Sequence, residues 1–156
     1  MKVTLIQTGK TRFDYLNEGI SDYQKRLKHY INLDELTLPD LKNRKKLTVD
    51  EIKDREGEQL LKKCKPVDFV ILLDENGKSY SSVEFADYLH KKFTIGRDIV
   101  LVIGGAYGFS QEVYRRANEM ISLSRMTFSH QLVRLILFEQ LYRAMTIIRG
   151  EPYHHD

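Results

Sequence analysis

Three stretches of this chain combine residues suited to binding and to proton transfer. The first, "IVLVIGGAYGFS" over 99–110, is a branched apolar run that breaks into Gly104, Gly105 and Gly108 before Ser110. A strand that ends in glycines ahead of a helix lets backbone amides approach a ligand closely. A nucleotide, a phosphate and a plain turn all fit that pattern. The second, "SLSRMTFSH" over 122–130, ends in His130, which by itself reads as a helix-capping or core histidine. The third is "PYHH" over 152–155, where Tyr153 can stack on or hydrogen-bond a base and His154 can accept a proton or stabilise charge on the ring. A frayed tail is the plain alternative there.

Several chemistries are excluded. The glycines read G-G-x-x-G after the fourth strand, not G-x-G-x-x-G after the first, and no acidic residue follows at the ribose-binding distance. That argues against a nucleotide-dependent oxidoreductase. There is no G-x-x-x-x-G-K-[ST], no H-E-x-x-H and no G-x-S-x-G. Cys64 is the only cysteine, so no thiolate cluster for zinc and no internal disulfide form, and no metal is expected.

The elements that would position these stretches alternate between strand and helix. "KVTLIQT" (2–8) reads as a strand, and 12–30 as an amphipathic helix with Phe13, Leu16, Ile20, Tyr23 and Leu27 on one face. "NLDELTLP" (32–39) is a second strand. Thr48 with Glu51 and Ser81 with Glu84 are capping-box patterns that open helices over 49–63 and up to about 93. "VDFVILLD" (67–74) is a buried strand, with "ENGK" after it as a turn. The strand at 98–103, a helix over 110–118, a short strand over 120–124 and a helix over 130–149 complete the order. This pattern predicts an α/β fold, a mostly parallel sheet with helices on both faces, in a single domain spanning 1–156.

The last helix is apolar over far more than one stripe, with Glu139, Arg143, Thr146 and Arg149 on a narrow polar arc. It is either a subunit interface or a core helix. Arg143 on that arc faces either substrate phosphates or a partner subunit. The net charge of +3 is unevenly placed: 15 basic and 11 acidic residues stand in 1–65, against 10 and 11 in 66–156. "LKNRKK", with Lys42, Arg44, Lys45 and Lys46, is either a solvated loop or a phosphate-contacting patch. No run approaches a membrane span, and neither the N-terminus nor the single cysteine suggests export, so no membrane and a cytoplasmic setting are expected.

Taken together, "FVILLDENGKSYSS", "GEQLL" at 57–61, "VIGGAYGFS", "SLSRMTFSHQLVRLILFEQLYRA" and the Pro-Tyr-His ending closely resemble the RlmH family, the small single-domain SPOUT RNA methyltransferases. The resemblance covers the whole chain. It implies a deep trefoil knot at the C-terminal end of the sheet, S-adenosyl-L-methionine as cofactor, and a homodimer. It further implies methylation of N3 of pseudouridine 1915, in helix 69 of 23S rRNA, on the assembled 70S ribosome. By the same resemblance Leu73, Gly104 and the segment Leu123, Ser124, Arg125, Met126, Thr127 and Phe128 form the cofactor pocket. Tyr153 and His154 lie in a tail placed over the methyl donor, and His130 and Arg143 complete the candidate catalytic set. Ser129 stands where the family has proline. A non-catalytic ribosome- or RNA-binding module of the same fold is the other reading.

Overall fold

The computed structural model describes residues 1–155. Its elements follow in the order β1 (Val3–Thr8), α1 (Asp14–Leu27), β2 (Leu33–Leu38), a 3-10 turn (Arg44–Lys46), α2 (Val49–Leu61) and β3 (Phe69–Ser79). Then come α3 (Ser82–Phe93), β4 (Ile99–Ile103), α4 (Gln111–Arg116), β5 (Glu119–Ser122) and α5 (Leu132–Ile148). The strands form one sheet in the order β2-β1-β4-β3-β5, every pair parallel. The expected α/β architecture with a parallel sheet is therefore present.

The strand sequences explain the layering. β4 is "IVLVI" with all five residues buried, as a central parallel strand covered on both faces requires. Its alternate residues feed two cores. Ile99, Leu101 and Ile103 pack with Ile20, Phe85, Leu89, Leu137, Phe138 and Leu141 from α1, α3 and α5. Val100 and Val102 pack with Leu60, Phe109 and Val113 on the α2 and α4 side. Local signals set the helix starts. The Thr48 hydroxyl accepts from the Glu51 N–H, and Ser81 with Glu84 forms the full reciprocal capping box.

Three expectations need correction. "ENGK" is not a turn between separate elements, because β3 continues to Ser79 across a register shift between Leu73 and Lys78. Gly77 makes that possible: a Cβ there would lie 2.6 Å from the backbone of Ile121, so only glycine lets the extension lie against β5. The polar arc of α5 also fails at one position: Thr146 is fully buried, its hydroxyl donating to the Arg143 carbonyl at 2.7 Å. The Glu151 N–H donates to the Thr146 carbonyl at 2.9 Å, which folds the tail back onto α5. Finally, α5 begins at Leu132, not 130, where the Ser129 hydroxyl accepts from the Leu132 N–H at 3.1 Å. Ser129 thus supplies a cap where a proline would supply rigidity.

One face of α5 is plainly core. Leu137, Phe138, Leu141, Ala144 and Met145 are buried against α1 and α3. Leu132, Ile136 and Ile147 are only half-buried.

Candidate active site

The register-shifted stretch of β3 and the loops that follow β4 and β5 meet at the C-terminal edge of the sheet, the usual place for a ligand in an open α/β fold. They enclose a cleft of about 350 Å³. β3 contributes Leu73 through Asn76, and β4 contributes Ile103 and the loop Gly104 through Phe109. Ser122, Leu123, Ser124, Met126, Thr127 and Phe128 follow β5, and His130 and Val133 close the side. All the residues expected to hold the cofactor line this cleft except Arg125, which stays out of its lining.

Each wall has a local cause. Gly108 has φ +82°, and its N–H donates to the Gly105 carbonyl at 3.2 Å, so the glycine loop doubles back at once. Gly104 faces the ring of Phe109, with a would-be Cβ only 3.0 Å from that ring. Asp74 is held by Tyr114, whose hydroxyl donates to it at 2.5 Å, and by the Asn76 N–H at 2.9 Å. Burial first, then this bond, pushes the Tyr114 hydroxyl up to about 12. After β5, the Ser122 hydroxyl donates to the Ser124 carbonyl, and the Ser124 hydroxyl accepts from the Met126 N–H, both at 2.9 Å. These bonds fix the turn and leave Met126 exposed at the rim.

His130 is the titratable base in the cleft. Burial, then the Arg134 guanidinium, with Arg12 and Arg44 further off, holds its imidazole below the ordinary 6.5. At neutral pH the ring is therefore uncharged and able to accept a proton. The strongest of those charges was missed in the sequence. Arg134 is fully buried, and its guanidinium donates to the Thr8 carbonyl at 2.7 Å, the Gly9 carbonyl at 2.8 Å and the Thr11 hydroxyl at 3.0 Å. Gln131 adds bonds to Lys10 and Arg12 of the same loop. The start of α5 is thus pinned to the end of β1, which places His130. An arginine amid "HQLVRLI" looks like surface, and nothing in its spacing shows that unpaired strand-end carbonyls await it.

Tyr153, His154 and Arg143 gather elsewhere. Arg143 Nη2 donates to Glu139 Oε1 at 2.6 Å, and its Nη1 donates to His154 Nδ1 at 3.0 Å. An arginine only donates, so Nδ1 accepts and the His154 proton sits on Nε2. Tyr153 donates to Glu139 at 3.2 Å, and Tyr23 approaches its hydroxyl at 3.3 Å. Burial first, then the Tyr23 bond, pushes the Tyr153 phenol well above its ordinary range, which rules it out as a base. Arg143 lies ten positions beyond Val133 on α5, about 15 Å along the axis. Within one chain the tail therefore lies away from the cleft rather than over it, because Glu139, midway along α5, and Tyr23 of α1 fasten it. Nor is it frayed.

The family model described as "Predicted SPOUT methyltransferase" matches residues 1–154. The chain belongs to the SPOUT methyltransferase family. Among its relatives, Ribosomal RNA large subunit methyltransferase H of Parabacteroides distasonis is 52% identical over the full length of both chains. The proteins of that name from Bacteroides thetaiotaomicron and Flavobacterium psychrophilum are 52% and 53% identical, also end to end. Among the described residues of this SPOUT protein there is no group of histidine, cysteine and carboxylate that could hold a metal, and no helix long and apolar enough to cross a membrane.

Proposed function

We propose that this SPOUT protein transfers a methyl group from S-adenosyl-L-methionine to ribosomal RNA, at N3 of pseudouridine 1915 in helix 69 of 23S rRNA on the assembled 70S ribosome. The observation that carries the reading is the convergence of Leu73, Gly104 and 123–128, without Arg125, on one cleft beside a neutral histidine. The cleft is of small-molecule size, within the range of about 300–1,000 Å³. Leu73, Ile103, Leu123 and Phe128 offer apolar walls for an adenine, and the Gly104–Ala106 backbone offers close peptide groups. Asp74 and Glu75 bring negative charge to the side where a sulfonium or ammonium would lie. The bound donor would supply an electrophilic methyl, which needs no metal and no covalent enzyme intermediate.

The chain's own work is alignment and proton removal. As the N3–C bond forms, the methyl's bond to the donor sulfur breaks and leaves a neutral thioether, and the hydrogen on N3 must leave; neutral His130, beside the cleft, would take it. Exposed Arg12, Lys42, Lys45 and Lys46 suit the RNA phosphates. The acceptor groups Tyr153, His154 and Arg143 lie too far along α5 to serve the cleft of their own chain. A homodimer packed through the half-buried Leu132, Ile136 and Ile147 side of α5, with the helices antiparallel, would bring one chain's tail to the other's cleft. The reading includes the deep trefoil knot around the cleft, a departure from ordinarily unthreaded connections.

The test is methyl transfer from labelled S-adenosyl-L-methionine to 70S ribosomes, isolated 50S subunits and naked 23S rRNA. Label on the 70S sample, mapped to that pseudouridine, supports the reading. Ribosome binding without transfer would instead favour the non-catalytic module.

A further inference from the structure

Glu56 is a carboxylate buried where no catalytic step uses it. It sits on α2 with its side chain 7% exposed, and its Oε1 makes no hydrogen bond. Its one ionic partner is Arg44, with Nη1 at 3.6 Å. On the other side it presses on the glycine loop: a Cβ built on Gly105 would lie 2.6 Å from Glu56 Oε2. A gap of only about 10 Å³ separates Glu56, Lys53 and Ser110 from Gly104, Gly105 and Gly108, so nothing larger than one water reaches the carboxylate. An apolar side chain would be the more stable filling for such a place, which makes a retained charge informative.

Arg44 completes the arrangement from outside. Asn43 adopts φ 55°, the left-handed region that asparagine tolerates, and reverses the chain just before the 3-10 turn. Of the basic run, Lys42, Lys45 and Lys46 stay exposed while Arg44 folds inward. Its guanidinium lies 5.5 Å from the centre of the Tyr107 ring, in the same loop as Gly105. The loop is thus gripped at Gly105 by Glu56 and at Tyr107 by Arg44.

We propose that Glu56 is a positioning residue for the 104–108 loop: wedged against Gly105 and paired with Arg44, its ionised carboxylate sets where that backbone lies and ties the loop to the basic segment 42–46. The inference rests on the reading of this loop as part of the methyl-donor site. The charged groups facing Glu56 are Arg44, Asp40 and, one turn back on its own helix, Lys53. Burial, the largest influence, pushes the Glu56 carboxyl above its ordinary range against the pull of Arg44. Protonation on acidification therefore releases Arg44 and loosens the loop. The folded state binds that proton more tightly than the unfolded chain, so the same protonation raises global stability. Donor affinity and stability respond to acid in opposite directions, which a merely structural glutamate would not produce.

The experiment compares the full-length protein with Glu56→Gln, Arg44→Ala and the double variant. Amide hydrogen exchange of 104–109 is measured without ligand, and S-adenosyl-L-methionine binding by calorimetry between pH 5 and 8. Expected are faster exchange confined to that loop, a donor affinity weakened about tenfold in each single variant, and no further loss in the double. The acid-side weakening seen in the wild type should vanish in Glu56→Gln. Unchanged loop exchange and affinity, additive losses, or exchange raised throughout the sheet would each overturn the proposal. Loop exchange that responds to Glu56→Gln in a protein that binds no S-adenosyl-L-methionine would support the latch and overturn the donor reading.

Discussion

At the start of α5, His130 and Val133 face a cleft of peptide groups and apolar walls; ten positions on, Arg143 sits in a cluster where guanidinium, carboxylate, imidazole and phenol already satisfy one another. One helix carries both. The first region is shaped to receive a molecule, because its backbone is fixed by bonds within its own walls at Ser124 and Asp74 and by Arg134 behind it. The second is internally saturated and rigid, so it acts by presenting a fixed surface. On the proposed reading, holding a donor and handling an acceptor are separable tasks, and each should respond to a different kind of mutation.

The largest expected effect separates the two. Deleting 152–156 should lower methyl transfer to ribosomes about 10²-fold, the scale of a misplaced acceptor, while leaving donor affinity within a few-fold. Equal losses in both would merge the regions into one site. Replacing Arg134 with Met should next lower stability by about 3 kcal/mol, because the Thr8 and Gly9 carbonyls lose a charged donor. Denaturant unfolding reads this; a loss below 1 kcal/mol would mean the strand end finds other partners.

Gly104→Val should weaken donor binding about 30-fold, an overpacking effect, with the fold retained. The physical reason is the 3.0 Å approach to Phe109, whose ring must swing into the cleft. Calorimetry with wild-type affinity would remove the glycine loop from the site. The smallest effect is a displaced pH limb. Because burial and Arg134 hold His130 below its ordinary 6.5, the midpoint of the acid limb of kcat should lie below 6.5. A midpoint at or above 6.5 would assign the base elsewhere.

Much of this arrangement was legible in residue types. The buried "IVLVI" strand, the Ser81–Glu84 capping box, the Thr48 cap without its reciprocal half, and the glycine break after β4 are local signals with local causes. What stayed hidden depends on partners distant in sequence. Arg134 is buried because the strand-end carbonyls of Thr8 and Gly9 need donors, a need set more than a hundred residues away. Thr146 is buried on the arc expected to be polar, with its hydroxyl turned onto the Arg143 carbonyl. "ENGK" carries every mark of a turn, and only the nearness of β5 makes it the end of a strand. The cleft residues were named from family resemblance, because Leu73 or Phe128 alone reads as core. The tail's attachment to its own helix was hidden too, because no spacing reveals the hold of Glu139 and Tyr23 on it.

The strand order has a consequence for how the molecule is made. β1 lies between β2 and β4, with Val3 opposite both Leu33 and Ile99. Only the first of those neighbours is near in sequence. A ribosome adding about 5–20 residues per second needs roughly 5–20 s to pass from residue 3 to residue 99, and the central β1–β4 ladder has no second strand until then. β5 and α5, which close the cleft, come later still. Such long-range parallel pairing folds slowly, since loop closure precedes its reward. β1 and β2 must therefore wait as an open pair with an apolar edge. That interval, not the finished protein, is where this chain is most exposed to aggregation, and where a chaperone would have most to protect.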